Sequence, residues 1–357
     1  MKVKGLLFKP KINFKQGVPV NKKLIRTQRD ANEARKLLNE AKRRGIRLTI
    51  SGHLRGIDGP GSSLDLPEFQ KRLTKVGINL LKDYPSTPTI ASNFTVKIIF
   101  DIAEDEDVVE YIAPDYGINE DNPYCIKGGV KLDRYGRTTQ KDAPAFIFQN
   151  LFGLSGVRVI CESISPMALA GGMESSNAFN VALIAAASML SGADLDFAEI
   201  FNLAVKLEND EFGGSTGGQG HLSFILGGGY HHIWLSGIKS RFFKRLINPY
   251  SVFSIPLLKI DELKQIEDHV LFVQAGKDYR DGKPLISRVA SVSNNMWTDL
   301  LHDEDEVAMP LFNEMLLLTA EYTSALRGKN FKIAVDTIMR YVKIRDDLCR
   351  RWLNDYF

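Results

Sequence analysis

The chain has 357 residues, of which 44% are hydrophobic and 25% are charged. At about 150 residues per domain, this length predicts two domains or one large one. The 20 Phe and 11 Tyr residues supply enough apolar volume to exclude disorder as the main state. The 46 basic and 43 acidic residues leave a net charge of only +3, which is not a nucleic-acid-binding signature.

The cysteines and the apolar segments indicate the cellular compartment in which the protein is expected. Cys125, Cys161 and Cys349 are odd in number and lack the spacing of a metal site, which favours a reducing compartment over a disulfide framework. No run reaches the ~18 apolar residues that span a bilayer. The N-terminus lacks the apolar block of a secretory signal. The sequence therefore predicts a cytoplasmic protein with no membrane partner, and it leaves the oligomeric state open.

The first half of the chain predicts a helix and two strands. Charged residues over 29–45 predict an exposed helix that a glycine ends. Alternation over 47–50 predicts a half-buried strand, and four glycines and two prolines in 52–67 predict a loop. A second strand is expected over 94–102. The polar region 104–142 is either a mobile flap over a site or a surface excursion.

The second half alternates short strands with helices. A β-rich run at 157–163 precedes a glycine-rich turn and a helix whose apolar stripe includes Phe179, Leu183 and Met189, with Gly192 as its end. The remaining predicted elements are a helix over 194–212, a boundary over 241–256, a strand over 270–274, and helices over 310–326 and 331–355. This mixture predicts the α+β or α/β class.

The strand, glycine turn and helix around residue 172 give the first chemical signal. Gly171 and Gly172 allow a sharp turn and close approach to a ligand. The helix that follows offers unpaired N–H groups and the positive end of its dipole to a phosphate. Ser175 and Ser176 either cap the helix or place a hydroxyl group on a nucleotide-bound magnesium ion. The alternative is an ordinary glycine turn with a serine cap, and neither a P-loop nor a Gly-x-Gly-x-x-Gly fingerprint is present.

Glu208 gives the second signal. The apolar stripe of the helix over 194–212, which includes Phe197 and Ala204, continues to Glu208 and turns its carboxylate inward. A buried carboxylate is costly unless it is paired or binds a metal. The alternative is that Glu208 lies near the helix end and reaches water or a lysine. The glycine-rich loop over 213–220 follows, and so flexible a backbone is costly unless something packs against it.

Taken together, these motifs resemble the GHMP kinase superfamily, and most closely its heptose-phosphate kinase and fucokinase-like branch. The first family motif is similar to residues 47–69, and the phosphate loop is similar to residues 166–176, with Glu174 in place of its last glycine. Glu208 matches the magnesium-binding glutamate of the family. Residues 217–221 match its catalytic loop, but Gly220 stands where the family has an aspartate. The third, glycine-rich motif is not found before Phe357.

The resemblance implies a two-domain α+β architecture with an N-terminal domain over 1–240 and a C-terminal domain, possibly truncated, over 241–357. It implies transfer of the ATP γ-phosphoryl group to a hydroxyl group of a sugar or sugar phosphate, with ATP and Mg²⁺ as cofactors. The implied roles are phosphate binding by Gly171, Gly172, Met173, Ser175 and Ser176, magnesium binding by Ser176 and Glu208, catalysis by Arg47 and His221, and substrate binding by His53 and Asp58.

The departures at Gly220 and at the third motif leave two alternatives open. The first is a catalytically impaired protein of the same descent that binds a nucleotide or a sugar. The second is an assembly subunit whose missing glycine-rich loop comes from another chain. Loss of the base need not abolish activity, because phosphoryl transfer depends mainly on positioning and charge stabilisation.

Overall fold

The structure is a computed structural model that describes residues 25–58, 60, 87–133, 136–162, 175–212, 218–226, 230–236, 251–258, 262, 279–280, 283–284, 299–300 and 306–356. Of these, residues 55–58, 87–94, 198, 209, 230–236, 251–257, 279–280, 283–284 and 354–356 are described by their backbone alone.

The helices are α1 (Ala31–Arg43), α2 (Ala143–Ala145, continued by a π-helix over Phe146–Phe152), α3 (Ser175–Ser191), α4 (Phe197–Lys206, continued by a π-helix over Leu207–Glu211), α5 (Gln219–Leu226), α6 (Ala308–Arg327) and α7 (Phe331–Tyr356). Short 3₁₀ turns cover Pro114–Tyr116 and Gln140–Asp142. The strands are β1 (Leu48–Asp58), β2 (Thr87–Ile102), β3 (Val108–Ile112), β4 (Tyr124–Lys127), β5 (Val157–Glu162), β6 (Tyr230–Ser236), β7 (Ser251–Leu258), β8 (Tyr279–Arg280) and β9 (Lys283–Pro284).

The long strand β2 organises a seven-stranded sheet. Strand β1 runs antiparallel along one edge of β2, from Leu48 opposite Phe100 to Asp58 opposite Thr89. The other edge is shared, because residues 97–102 pair with β5 and residues 87–90 pair with β6. One wing continues from β5 through β3 to β4, and the other continues from β6 to β7. The fold is therefore of the α+β class.

Helix α3 lies in the centre of the main core. Its side chains are buried around nearly the whole circumference, as is typical of a helix that is enclosed on all sides. It contacts α4, α5 and the sheet strands β1 and β2. Its first turn therefore has a fixed position near the ends of β3 and β5.

Helices α6 and α7 form an antiparallel pair joined by a three-residue turn. Their cluster includes Phe312, Leu316, Tyr341 and Leu348, and α6 also contacts β7 and β2. Among the described helices, none combines the length and apolarity that a membrane crossing requires.

Most predicted helices and strands are confirmed, and the errors have identifiable causes. The predicted loop over 52–67 is wrong for residues 52–58, which continue β1. Gly52 is a packing position, because a Cβ atom there would lie 2.5 Å from Cδ2 of Phe224. The prediction that residues 104–142 form a surface excursion is also wrong, since strand β3 lies within this segment and is buried at all five positions. Two stripe residues face outward, as Met189 is 48% and Phe197 is 73% exposed.

The domain boundary predicted at residue 240 stays a prediction. Strands β6 and β7, which flank it, pair with each other in one sheet. Residues 251–256 of the predicted boundary segment belong to β7, and the predicted strand over 270–274 lies outside the described residues.

Candidate functional site

A cavity of about 280 Å³ lies beside the first turn of α3. Its wall is mainly apolar with a few polar groups, which is the usual character of a small-molecule site. The lining residues come from five separate parts of the chain, and they are Tyr111, Tyr116, Ile118, Gln140, Lys141, Cys161, Ser175, Ser176 and Phe179.

The ends of β3 and β5 form one side of this cavity. Tyr111 lies opposite Val159 in the parallel β3–β5 pair, and its ring is 5.5 Å from that of Phe179, centroid to centroid. Burial raises the pKa of Tyr111, so its phenol group stays neutral. Burial also raises the pKa of the Cys161 thiol to about 12, which excludes a reactive thiolate at this wall. Both residues therefore shape the cavity without supplying a nucleophile.

The segment 138–142 forms the opposite side and brings one cation to the cavity. Asp142 accepts hydrogen bonds from the hydroxyl groups of Tyr124 (2.7 Å), Thr138 (2.9 Å) and Thr139 (2.7 Å). Burial opposes ionisation of Asp142, but these hydrogen bonds outweigh it and hold its pKa below the ordinary value. Lys141 Nζ lies 3.8 Å from the centroid of the Tyr124 ring. The anchored segment thus presents Lys141 as a positive charge to an anionic ligand.

A chain of side-chain amides connects the cavity to Glu208. Gln140 Nε2 donates to Asn180 Oδ1 at 2.8 Å, and Asn180 Nδ2 donates to a carboxylate oxygen of Glu208 at 2.7 Å. Asn180 is fully buried, and it lies one helical turn after Ser176 on the same face of α3. Gln140 Oε1 is buried without a hydrogen-bond partner among the described residues. The half-buried Glu208 side chain is therefore held at Asn180, one helical turn along α3 from Ser176.

The oxygen donors of this region fit magnesium carried by a nucleotide. Mg²⁺ prefers oxygen ligands, and it is usually bound by one or two carboxylates together with substrate phosphates. Ser176 and Glu208 supply a hydroxyl group and a carboxylate. The described residues contain no group of three or more His, Cys, Asp or Glu that could hold a metal ion by themselves. This donor set suits an ion that arrives with its phosphates.

The structure describes only some of the other predicted site residues. Arg47 is exposed and lines a different depression, with Lys42 and Asp101. His53 is half-buried in β1 opposite Thr95. Asp58 ends β1 and is described by its backbone alone, and Gly171, Gly172 and Met173 lie outside the described residues.

His221 lies in the core of α5 and lacks access to a substrate. Its ring is fully buried and stands edge-on to Phe201 at 6.2 Å, centroid to centroid. Desolvation lowers its pKa to about 3, although a weak interaction with the backbone of Ala204 opposes that shift. The ring is therefore neutral at physiological pH, and its burial argues against the predicted catalytic role.

Sequence reasoning missed Gln140, Asn180 and Lys141. The available signal for Asn180 was an amide in the middle of an apolar helix, because a buried amide requires partners. It also missed Glu211, which lies in the same π-helix as Glu208. Burial raises the pKa of Glu211 to about 7.

Comparison with known proteins gives a family match for part of this region. Residues 141–228 match the family model described as the N-terminal domain of GHMP kinases. The comparison with curated protein sequences gave no match.

Among solved structures, a Lin0012 protein from Listeria innocua is 16% identical with a TM-score of 0.53, over 85% of this chain and 78% of that one. Streptococcus pneumoniae phosphomevalonate kinase, in complex with phosphomevalonate and AMPPNP, is 9% identical with a TM-score of 0.50, over 85% and 80%. A D-glycero-D-manno-heptose 1-phosphate kinase from Bacteroides thetaiotaomicron is 15% identical with a TM-score of 0.49, over 82% and 76%. At these identities, the structural likeness establishes the fold alone.

Proposed function

Because residues 141–228 match the model of the GHMP kinase N-terminal domain and the fold is similar to that of a solved GHMP kinase, we propose that the chain is a small-molecule kinase that uses ATP and Mg²⁺. The observation that carries this proposal is the position of Glu208. Its carboxylate accepts a hydrogen bond from Asn180, which lies one turn after Ser176 and is linked through Gln140 to the cavity beside the first turn of α3.

The proposed roles of the residues follow from their chemistry. The N–H groups in the first turn of α3, where Ser175 and Ser176 lie, would bind phosphate oxygens, aided by the helix dipole. Ser176 and Glu208 would hold Mg²⁺, which supplies charge stabilisation when it is bound. Lys141 would add a positive charge, and Asn180 would hold the Glu208 carboxylate in place.

A sugar or sugar phosphate is the acceptor that we propose. This part rests on the similarity of residues 47–69, with His53 and Asp58, to the substrate motif of the sugar kinase branch. Arg47 belongs to the same motif, although it lies in a separate depression.

A catalytically impaired binding protein is the second candidate, and two observations favour it. Gly220 has no carboxylate to accept the proton of the substrate hydroxyl group. The neighbouring His221 is buried and neutral, so it does not replace the missing base.

Calorimetry with a non-hydrolysable ATP analogue, with and without Mg²⁺, tests the binding part of the proposal. We expect the wild-type protein to bind the analogue more tightly with Mg²⁺, and Glu208→Gln to lose that difference with little change in melting temperature. Asp210→Asn is the matched control, because it removes one carboxylate from the same turn, where Asp210 is exposed and pairs with Lys206. No binding at millimolar nucleotide, or the same loss in both variants, would contradict the proposal.

A coupled assay of ADP release separates the two candidates. The panel contains hexoses, heptoses and their phosphates, and it is run for the wild type and for Gly220→Asp. General-base catalysis contributes about 10²–10⁴-fold, so we expect slow turnover that the added carboxylate accelerates. If both variants bind nucleotide but neither releases ADP, the binding-protein candidate is favoured.

A further inference from the structure

The C-terminal helix α7 has an exposed apolar stripe opposite the face that packs on α6. Val335, Met339 and Val342 are 57%, 64% and 53% exposed, and their spacing of four and three residues puts them on one side of the helix. The inner face of α7 is already filled by residues such as Tyr341 and Leu348. A helix face turned to water is normally polar, so a second apolar stripe of this kind calls for an explanation.

The charges around the stripe are arranged nearly symmetrically about Met339. Lys332 lies seven residues before Met339 and Asp346 lies seven after it. Asp336 lies three residues before and Lys343 lies four after. All four side chains are exposed. We call the following seven residues the outer face of α7: Lys332, Val335, Asp336, Met339, Val342, Lys343 and Asp346.

Two copies of this face match each other when their helices run antiparallel. Successive residues are rotated by about 100° about the helix axis. Viewed along that axis, Val335 and Val342 lie on one side of Met339, and Asp336 and Lys343 lie on the other side. A two-fold axis through Met339, perpendicular to the helix, brings Val335 of one copy against Val342 of the other. At a rise of about 1.5 Å per residue, the same operation places the unlike charges of Lys332 and Asp346 at one level, about 10 Å from the axis.

A parallel arrangement would do the opposite. Each residue would then face its own copy, so that Lys332, Asp336 and Lys343 would each meet a like charge. Like charges in an interface are unfavourable and act against that orientation. The charge pattern therefore selects the antiparallel arrangement, and it gives every charge of the outer face an unlike partner.

The ion pairs of the described residues inside one copy involve only one of the four charged residues of the outer face, Asp346. Arg340, at the edge of the stripe, pairs with Glu314 and Glu321 of α6. Asp346 accepts a hydrogen bond from Arg350 through one carboxylate oxygen, at 2.8 Å. Among the described residues, no opposite charge lies within ion-pair distance of Lys332, Asp336 or Lys343.

We propose that the outer face of α7 is a homodimer interface, in which α7 packs antiparallel on α7 of a second copy around Met339. Such an interface is isologous, since the same patch serves both copies. One helix pair buries less than the ~1,600 Å² of a standard interface. We therefore expect a dissociation constant in the micromolar range. This inference does not depend on the proposed kinase activity.

Sedimentation velocity and light scattering on the full chain test the proposal over about 1–200 µM protein, a range that brackets micromolar affinity. We expect the wild type to approach twice the chain mass of 40.0 kDa as its concentration rises. Met339→Asp, which places two like charges at the axis, should remain monomeric. Phe197→Asp is its control, because it makes the same change at an exposed apolar residue of α4.

Charge reversal tests the arrangement itself. Asp336→Lys and Lys343→Asp should each weaken the dimer at least tenfold, because each creates two like-charge contacts. The double variant should restore the wild-type dissociation constant, and Asp121→Lys, on an exposed loop residue, should leave it unchanged. A wild type that is monomeric throughout, a dimer that survives Met339→Asp, or a double variant that does not recover would each overturn the proposal. Melting temperatures of all variants show that the changes act on association and not on folding.

Discussion

Asn180 joins the two segments that form the candidate site, because its amide group accepts from Gln140 and donates to Glu208. In a fully buried position, each of these hydrogen bonds is stronger than it would be in water. Loss of the Asn180 amide would remove one hydrogen bond from the Glu208 carboxylate and would deprive Gln140 of its acceptor. Asn180 is thus a positioning residue for the proposed metal ligand.

We expect Asn180→Leu to weaken binding of the magnesium–nucleotide complex about tenfold or more. A hydrogen bond to a charged group contributes about 1.5–3 kcal/mol, and a change of about 1.4 kcal/mol is tenfold. Calorimetry should show a smaller effect on nucleotide binding without Mg²⁺. Ser188→Ala is the control, because Ser188 is also buried on α3 but its hydroxyl group accepts from the backbone N–H of Leu195. Equal losses in both variants would show that Asn180 has only a structural role.

His221 links the packing of α5 to pH. Its pKa is about 3 in the folded protein and about 6.5 in an unfolded chain. The unfolded state therefore binds more protons at acidic pH, and the contribution of His221 to stability is complete above about pH 6.5 and is lost as the pH falls.

We expect His221→Leu to reduce the loss of stability below about pH 6.5. One proton contributes a slope of about 1.4 kcal/mol per pH unit, so the two proteins should diverge by up to that amount per unit. Urea unfolding at pH 8, 6 and 5 measures the difference. Parallel pH profiles for the two proteins would show that the ring is protonated in the folded state.

Among the secondary-structure elements, the parallel pair β3–β5 contains a partly buried ion pair. Glu110, which is 4% exposed, accepts from Arg158 and also from the backbone N–H of Glu104 at 2.9 Å. Glu110 and Arg158 lie opposite each other in the strand register. Removal of one partner from such a pair leaves a desolvated charge without compensation. The pair therefore fixes the register of the strands that form the cavity wall.

Arg158→Met should lower the free energy of unfolding by about 3 kcal/mol. Glu110→Gln should partly rescue it, because the amide group keeps an acceptor for Glu104 without a charge. A double-mutant cycle by urea unfolding should give a coupling of at least about 1 kcal/mol. Lys97→Met is the control on the exposed Lys97–Glu162 pair of β2 and β5, where a loss below about 1 kcal/mol is expected. Additive effects at Glu110 and Arg158 would contradict this account.

Two helices of the main core end in π-helical turns, and one of these turns contains Glu208. A π-helical turn shifts the face on which the next side chains lie, and such turns are frequent at functional sites. Sequence periodicity assumes 3.6 residues per turn. It therefore predicted that the Glu208 side chain points inward, but it did not predict the π-helical turn that brings this side chain to Asn180.

For the molecule as a whole, the divided edge of β2 sets the architecture. One wing of the sheet, with β5, β3 and β4, carries the cavity, and the other, with β6 and β7, contacts the α6–α7 pair. The candidate site and the outer face of α7 therefore belong to different parts of the fold.

The sequence by itself determined the helices with strong periodicity, the second half of β2, the strand β5 and the family resemblance. The order of elements left the α+β and α/β classes open, and the resemblance selected α+β. These features depend on local signals, such as the charged residues of α1 or the apolar residues of α3, that act within one or two turns of chain. It also predicted Ser175, Ser176 and Glu208 as candidate site residues, because hydroxyl groups after glycines and a carboxylate on an apolar stripe carry their chemistry in the residue type.

Only the tertiary structure decided how these residues meet. Gly52 and its neighbours form a strand because β2 supplies hydrogen-bond partners and Phe224 fills the space above the glycine. Strand β3 is buried because β4 and β5 enclose it, which its polar flanking residues do not indicate. The packing of α5 against Phe201 removes His221 from water, which argues against its predicted role. Each of these outcomes depends on contacts between residues far apart in sequence, and the residue pattern alone does not encode which distant segment becomes the neighbour.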